Sequence, residues 1–300
     1  MTLRDVRDIG KLAALALIAW LLPPRLWRKA AIATRSIGQA DPYSPAYRLV
    51  LAQKYSKPEI AGIRTRDRAY RRELRLQILG LNGPWRSWRP NICLNGTIHI
   101  RTALERGHGA ILWVTETTFS TLIVKMALHD AGYQAYQLSR PGHGFSTSPF
   151  GVRFLNPLWT RVEDRFIAER VLIIGEYGAE ALAVLRERLS ENRIVIITVG
   201  TEAHKLVQVP FVHSYLQLPT GPMALARATG AELPPVFAIT QESGRFKVSI
   251  QEALNPTGGQ ADDDSIAAAY AKRLELFVLE YPDQWNGWRS LQMSDVQSRS

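Results

Sequence analysis

The stretch from Gly107 to Leu122, GHGAILWVTETTFSTL, constrains this chain more than any other. Its apolar run, Ala110 to Val114, is short and partly β-branched, has glycine before it, and leads directly into Thr115, Thr117, Thr118, Ser120 and Thr121. A short apolar run bounded by turn residues reads as a buried strand. Hydroxyl side chains accept hydrogen bonds from the first free amides of a helix, so the run is expected to pass into a helix N-terminus. In open α/β sheets ligands lie beyond the carboxyl ends of the strands. Any chemistry is therefore expected around residues 115–121.

Strand and helix signals alternate through the rest of the chain, which is the α/β pattern. Candidate strands are Ala110 to Val114, Gln134 to Leu138, Val171 to Ile174, Ile194 to Val199, Pro235 to Ile239 and Phe246 to Ile250. Candidate helices are Thr118 to Ala131, Pro149 to Trp159, Ala179 to Glu191, Thr220 to Thr229 and Ser265 to Leu279. The expected architecture is a mostly parallel central sheet flanked by helices, with an N-terminal helical, membrane-associating appendage. Residues 1–90 form that appendage, 91–290 the α/β domain and 291–300 a disordered tail. The longest flexible-looking connection, RPGHGFSTSPFG from Arg140 to Gly151, is of the kind that covers a ligand site.

The appendage is read from charge. Of the 37 Lys and Arg and 27 Asp and Glu in the 300 residues, the segment 1–106 holds 20 and 7. The remainder is slightly acidic, so the net charge of +10 belongs to the first third of the chain. A localised cationic surface implies an anionic partner. Lys11 to Leu22, KLAALALIAWLL, holds an uncharged run of eleven residues ended by Pro23 and Pro24, whereas crossing a bilayer needs about 20. With Trp20 near one end and basic residues on both sides, it reads as an interfacial helix on anionic lipid. A signal peptide fits less well, because Pro-Pro-Arg-Leu-Trp-Arg follows in place of a small-residue cleavage site. From Ala46 to Leu79 two helices are expected, divided near Ser56-Lys57-Pro58. In the second, Ile63, Tyr70, Leu74 and Ile78 share a face and leave the arginines at 64, 66, 68, 71, 72 and 75 for water or lipid.

The single cysteine, Cys93, excludes an internal disulfide framework and any multi-cysteine metal site, and reads as a small apolar residue. No phosphate-binding G-x-x-x-x-G-K-[ST], no G-x-G-x-x-G after a strand and no histidine pair at metal spacing occurs. Gly144-Phe-Ser146 lacks the closing glycine of a nucleophile elbow. Nucleic acid is disfavoured as a partner, since the arginines adjoin a membrane-type segment without a base-stacking aromatic pattern.

Three segments in order resemble the lysophospholipid acyltransferase superfamily, in its lipid A biosynthesis (lauroyl/myristoyl) acyltransferase branch. Asn95 to Val114 is similar to the helix and glycine turn that lead into that family's motif strand. Pro210 to Ile239 resembles a short strand, a Thr-Gly-Pro helix start and a strand entered through proline, and YPDQWNGW from Tyr281 to Trp288 resembles the family's ending. The resemblance implies transfer of an acyl chain from acyl carrier protein or acyl-CoA to a hydroxyl, or an amine, of a lipid or glycan acceptor, with no cofactor. It also implies a peripheral position on the cytoplasmic face of the inner membrane.

The family's His-x4-Asp/Glu motif is absent. Thr115 stands where the histidine belongs and Ser120 where the acid belongs, and a threonine hydroxyl is no base near neutral pH. The later acidic motif is reduced to Glu202 and His204 in Thr-Glu-Ala-His. Either another group replaces the histidine, with Glu116, His143 and His204 as catalytic candidates, or the domain is an inactive homologue that binds lipid or a partner enzyme, or the chemistry lies elsewhere. Thr115, Ser120, Arg140 and Glu202 are the expected substrate contacts.

Overall fold

In this computed structural model the described residues are 2–34, 45–174, 178–200, 203, 205–212, 214–241, 243–255, 261–289 and 291. Helix α1 (Leu3–Leu21) opens with a capping box between Thr2 and Asp5 and ends before Pro23 and Pro24, which lack amide donors. After α2 (Trp27–Ala33) and α3 (Pro45–Lys54), helix α4 (Lys57–Leu81) starts at a second capping box, Ser56 with Glu59. Then follow β1 (Ile92–Asn95), α5 (Thr97–Glu105), β2 (Ala110–Val114), α6 (Ser120–Asp130), β3 (Ala135–Ser139), α7 (Pro149–Phe154), α8 (Asn156–Glu163) and β4 (Glu169–Leu172). The second half holds α9 (Ala179–Ser190), β5 (Ile194–Thr198), β6 (Leu206–Phe211), β7 (Ser214–Pro219), α10 (Gly221–Thr229), β8 (Pro235–Thr240), β9 (Phe246–Ile250) and α11 (Asp263–Glu280).

Seven strands form one sheet in the order β1-β9-β8-β2-β5-β3-β4, with β2 at its centre. Only the pairing of β8 with β9 is antiparallel in this sheet, and β6 and β7 make a separate antiparallel hairpin. Side chains alternate across a strand, and β2 divides its residues accordingly. Ile111 and Trp113 enter a core built with α9, α10, α11 and the hairpin, while Leu112 and Val114 enter a second core with α4, α6 and α8. All five residues of β2 are buried, which is why the strand reads as an unbroken apolar run.

A third, smaller core lies outside α4, where Leu12, Ala19, Trp27 and Ala31 of α1 and α2 meet Leu76 and Leu79. The Trp27 ring lies on Gly80 so closely that a Cβ there would stand 2.3 Å from it. Helix α4 thus faces the sheet with Leu74, Ile78 and Leu81 and the N-terminal helices with Leu76 and Leu79. Arg28 ties the same layer to the end of β8, bonding Glu73 at 2.9 Å, the Gln241 carbonyl at 2.7 Å and the Thr240 hydroxyl. Burial raises the pKa of Glu73 and the Arg28 guanidinium pulls it back down.

The structure departs from the sequence reading in definite places. Ile92 to Asn95, inside a turn-rich stretch, is strand β1 paired parallel to β9, and Cys93 on this edge strand is exposed. The helix expected over Pro149 to Trp159 breaks at Leu155, because the residue ahead of the Asn156-Pro157 pair starts a new helix in which proline occupies the first turn. Three α4 arginines also have partners in the fold: Arg71 pairs with Asp67, Arg72 donates to the Ala31 carbonyl, and Arg66, itself exposed, pairs with Asp283. The tail expected at 291–300 lies outside the described residues apart from Leu291, which is buried.

Since Trp27 is fully buried between α4 and the rest of the N-terminal layer, Trp27→Ala should cost about 3–5 kcal/mol of stability. Urea denaturation of the two proteins measures it, and a loss under about 1 kcal/mol would show that this layer is not part of the cooperative fold.

Candidate active site

The carboxyl end of β2 is closed from two sides. The Thr115 amide donates to the Val236 carbonyl at 2.8 Å and the Thr118 amide to the Gln284 carbonyl at 3.0 Å. The Asn286 amide donates to the Glu116 carbonyl at 2.9 Å, so the segment YPDQWNGW folds back over the turn. Gln284 locks this in place by bonding both the amide and the carbonyl of Thr240. The hydroxyl cluster serves the turn and not the helix: Thr117 donates to the Ala238 carbonyl at 2.7 Å, and Ser120 donates to the Thr117 carbonyl at 2.9 Å. Helix α6 begins after Phe119 with no side-chain cap. The expectation that these residues would cap the helix is therefore corrected, because the strand end itself left carbonyls to satisfy.

Thr115 is completely buried and shares a 2.7 Å hydrogen bond with the Tyr270 hydroxyl from α11. The Tyr270 ring packs 4.6 Å from Trp113. Burial drives the Tyr270 phenol far above its usual pKa, the Thr115 bond works against this, and the nearby Glu116 carboxylate adds to it. The phenol stays protonated, and the two hydroxyls form a neutral pair among apolar side chains. Ser120 is equally buried, so neither it nor Thr115 opens onto a cleft. Glu116 is half-buried on the Tyr270 side of the sheet.

His143 sits elsewhere. It belongs to the loop after β3, and its Nε2 lies 3.1 Å from both carboxylate oxygens of Glu163. Glu163, at the end of α8, has no exposed surface and also receives Lys125 at 2.7 Å, the Trp159 indole at 2.8 Å and Arg170 at 2.9 Å. Burial opposes ionisation of Glu163, but Lys125, His143 and Arg170 outweigh it and hold the carboxyl far below the usual range. The same burial depresses the Lys125 ammonium, against the attraction of Glu163. These residues pack with the α4, α6 and α8 core, on the face opposite Tyr270.

The loop that carries His143 is tightly fixed. The buried side-chain amide of Asn156 bonds the Gly142 carbonyl, the Ser146 carbonyl and the Ser146 amide at 3.2, 2.9 and 2.9 Å. Gly144 has φ +143°, and a Cβ there would lie 2.6 Å from the Asn156 side chain, so only glycine fits. Arg140 is exposed, and its carbonyl accepts from the His143 amide at 3.1 Å. Of the seven site residues inferred from sequence, Thr115, Glu116 and Ser120 share the β2 end, Arg140 and His143 share the β3 loop, and Glu202 and His204 lie outside the described residues. The sequence reading missed Glu163, Tyr270 and Asn156. Lys125 was the available signal, since a lone lysine inside LIVKMAL on a core-facing helix demands a buried acid.

Among the described residues no group of three or more His, Cys, Asp or Glu is placed to hold a metal ion. The comparison with known proteins agrees with the fold. A family model described as bacterial lipid A biosynthesis acyltransferase matches residues 87–288, which runs from just before β1 to the Trp288 that ends YPDQWNGW. The chain belongs to that family. It is 32% identical over 104 residues to a phosphatidylinositol mannoside acyltransferase of Mycolicibacterium smegmatis, covering 34% of this chain and 33% of the relative. It is 24% identical over 221 residues to a protein of the same name from Mycobacterium tuberculosis, covering 68% of this chain and 60% of the relative. The chain thus spans between a third and three fifths of the length of these curated relatives.

This hydroxyl pair is tested by a double-mutant cycle. Thr115→Val leaves the buried Tyr270 hydroxyl without its partner and should cost about 1–3 kcal/mol, whereas Thr115→Val with Tyr270→Phe removes both groups and should recover most of it. Additive losses in thermal or urea unfolding would show that the two hydroxyls do not depend on each other.

Proposed function

We propose that this acyltransferase-family protein moves a fatty acyl group from acyl carrier protein or acyl-CoA to a hydroxyl, or an amine, of a lipid or glycan acceptor. The supporting observation is the family match over residues 87–288, which takes in the whole seven-stranded sheet and its central strand β2. The acceptor oxygen attacks the thioester carbonyl, the C–S bond breaks, and the proton lost by the hydroxyl is returned to the departing thiolate. The relatives' name makes a phospholipid-linked mannoside the first acceptor to try. In this reading Thr115 and Ser120, both buried, hold the turn after β2 from behind and do not touch substrate. Glu116, His143 and His204 are the candidate catalytic groups, and Arg140 and Glu202 the candidate substrate contacts.

The reaction is proposed to run with the protein held peripherally on the cytoplasmic face of the inner membrane. No helix among the described residues is long and apolar enough to cross a bilayer. Helix α1 buries one stripe on α4 and leaves Leu3, Val6, Leu17, Trp20 and Leu21 exposed on the opposite stripe, at spacings close to the helical repeat. Arg4, Arg7 and Lys11 are exposed beside it. An outward apolar stripe with flanking cations is what an interfacial helix presents to anionic lipid. The Trp20 ring is partly exposed, with its indole N–H bonded to the Leu79 carbonyl, so it serves as an apolar surface and not as a head-group donor.

Two measurements test the reading. Purified full-length protein given labelled acyl-acyl carrier protein or acyl-CoA and lipid acceptors should yield a labelled lipid, and no product with any donor would reject acyl transfer. Leu17→Glu with Leu21→Glu should weaken sedimentation with phosphatidylglycerol vesicles by about tenfold or more, since each buried leucine contributes about 1.5–3 kcal/mol. Unchanged partitioning would reject α1 as the docking surface.

A further inference from the structure

From the His143–Glu163 geometry we infer that His143 is the general base that replaces the family's missing histidine, with Glu163 as its positioning residue. The inference rests on the acyl-transfer reading and names the group that performs its proton transfer. Three features support it. The first is orientation: Glu163 accepts from Nε2 and thereby fixes that nitrogen as the proton carrier, leaving Nδ1 with its lone pair. A base held by a carboxylate on its far nitrogen is the arrangement that enzymes use to take a proton from a hydroxyl.

The second feature is access. Lys125, Glu163 and Arg170 side chains are 3%, 0% and 10% exposed, whereas His143 is 27% exposed. It is the member of the network through which the buried carboxylate meets solvent. A carboxylate already paired with an ammonium, a guanidinium and an indole does not need an imidazole for its own stability, so the extra partner has to be explained by what it does for the imidazole. The third feature is place. His143 follows the carboxyl end of β3, the sheet edge where α/β proteins bind ligands. Its loop is fixed by the three Asn156 bonds and by a glycine that no other residue can replace. The imidazole is therefore preorganised and does not depend on a mobile loop.

In the step assigned to it, Nδ1 of His143 takes the acceptor hydroxyl proton as the oxygen forms its bond to the thioester carbon. The C–S bond then breaks, and the imidazolium gives the proton to the leaving thiolate. Glu163 stabilises the imidazolium while it exists and stays ionised throughout. Thr115 and Tyr270, both neutral and bonded to each other on the opposite face, take no part in the proton transfer.

The experiment compares wild type, His143→Gln, Glu163→Gln and the pair Glu163→Gln with Lys125→Met, which removes both members of the buried ion pair in case the single change does not fold. Acyl transfer from acyl-CoA is measured for each, as kcat and KM across pH. His143→Gln should lower kcat by about 10²–10⁴-fold with KM changed little, and the Glu163 variants should lower kcat and alter the pH profile. A His143→Gln protein with kcat within about threefold of wild type overturns the inference while the acyl-transfer reading stands. A wild type inactive with every donor rejects that reading and the base role with it. A second arm needs no turnover: ring 15N NMR of His143 should show Nε2 carrying the proton and Nδ1 bare, and this single tautomer should be lost in the Glu163→Gln, Lys125→Met protein. Nδ1 protonated and Nε2 bare in wild type overturns the assigned tautomer.

Discussion

A carboxylate with no contact to water forces its surroundings to be organised around it. Glu163 is such a group, and Lys125 from α6, Arg170 from β4, Trp159 from its own helix and His143 from the β3 loop all converge on its two oxygens. Coulomb attraction in a low-dielectric interior repays desolvation only when every lone pair is matched. The four partners come from four separate elements, so the requirement fixes how α6, α8 and the β3–α7 connection sit against one another. Removing Lys125 or Arg170 would leave the carboxylate short of countercharge, which ties α6 and β4 to the stability of the whole helical layer.

The end of β2 shows the opposite solution to burial. Thr115 and Tyr270 are uncharged, satisfy one another, and sit among Trp113 and Phe237 in a core that needs no ion at all. An imidazole at position 115 would have to share this apolar space with a tyrosine ring. The hydroxyl pair and the Glu163 cluster thus occupy opposite faces of the sheet, one neutral and one charged. A scaffold can be retained while its original reacting group is lost, because the scaffold is held by strand burial and not by that group.

Much of the fold was legible because β2, β5 and β8 are buried almost throughout and read as plain apolar runs, while β9 alternates apolar with polar residues. Ala110 to Val114 and Phe246 to Ile250 have the bounds expected from sequence, and the helices at 179–190 and 221–229 differ by one residue at an end. What escaped was structure with no hydrophobic signature. Ile92 to Asn95 alternates half-buried with exposed residues on a sheet edge, and the break at Leu155 is set by one proline. The candidate site was half legible for the same reason. Hydroxyls after a strand announce a polar turn but not its partners, and Tyr270 lies 155 positions away from Thr115. Glu163 sits in NPLWTRVEDR, which looks like an exposed helix end, and only Lys125 hinted that a carboxylate must be buried nearby.

The N-terminal helix and the His143 loop are also not independent. Asp5, whose carboxyl is held below its usual range first by the Ser148 hydroxyl and then by the Thr2 amide, accepts from Ser148 at 2.6 Å. Ser148 is the N-cap of α7 and lies in the same connection that carries His143 and Gly144. Leu155, which closes α7, packs in the outer core with Leu12 and Trp27, and Phe154 beside it is exposed. The inner face of α1 is therefore bonded to the connection after β3, and whatever fixes α1 also fixes one end of that connection.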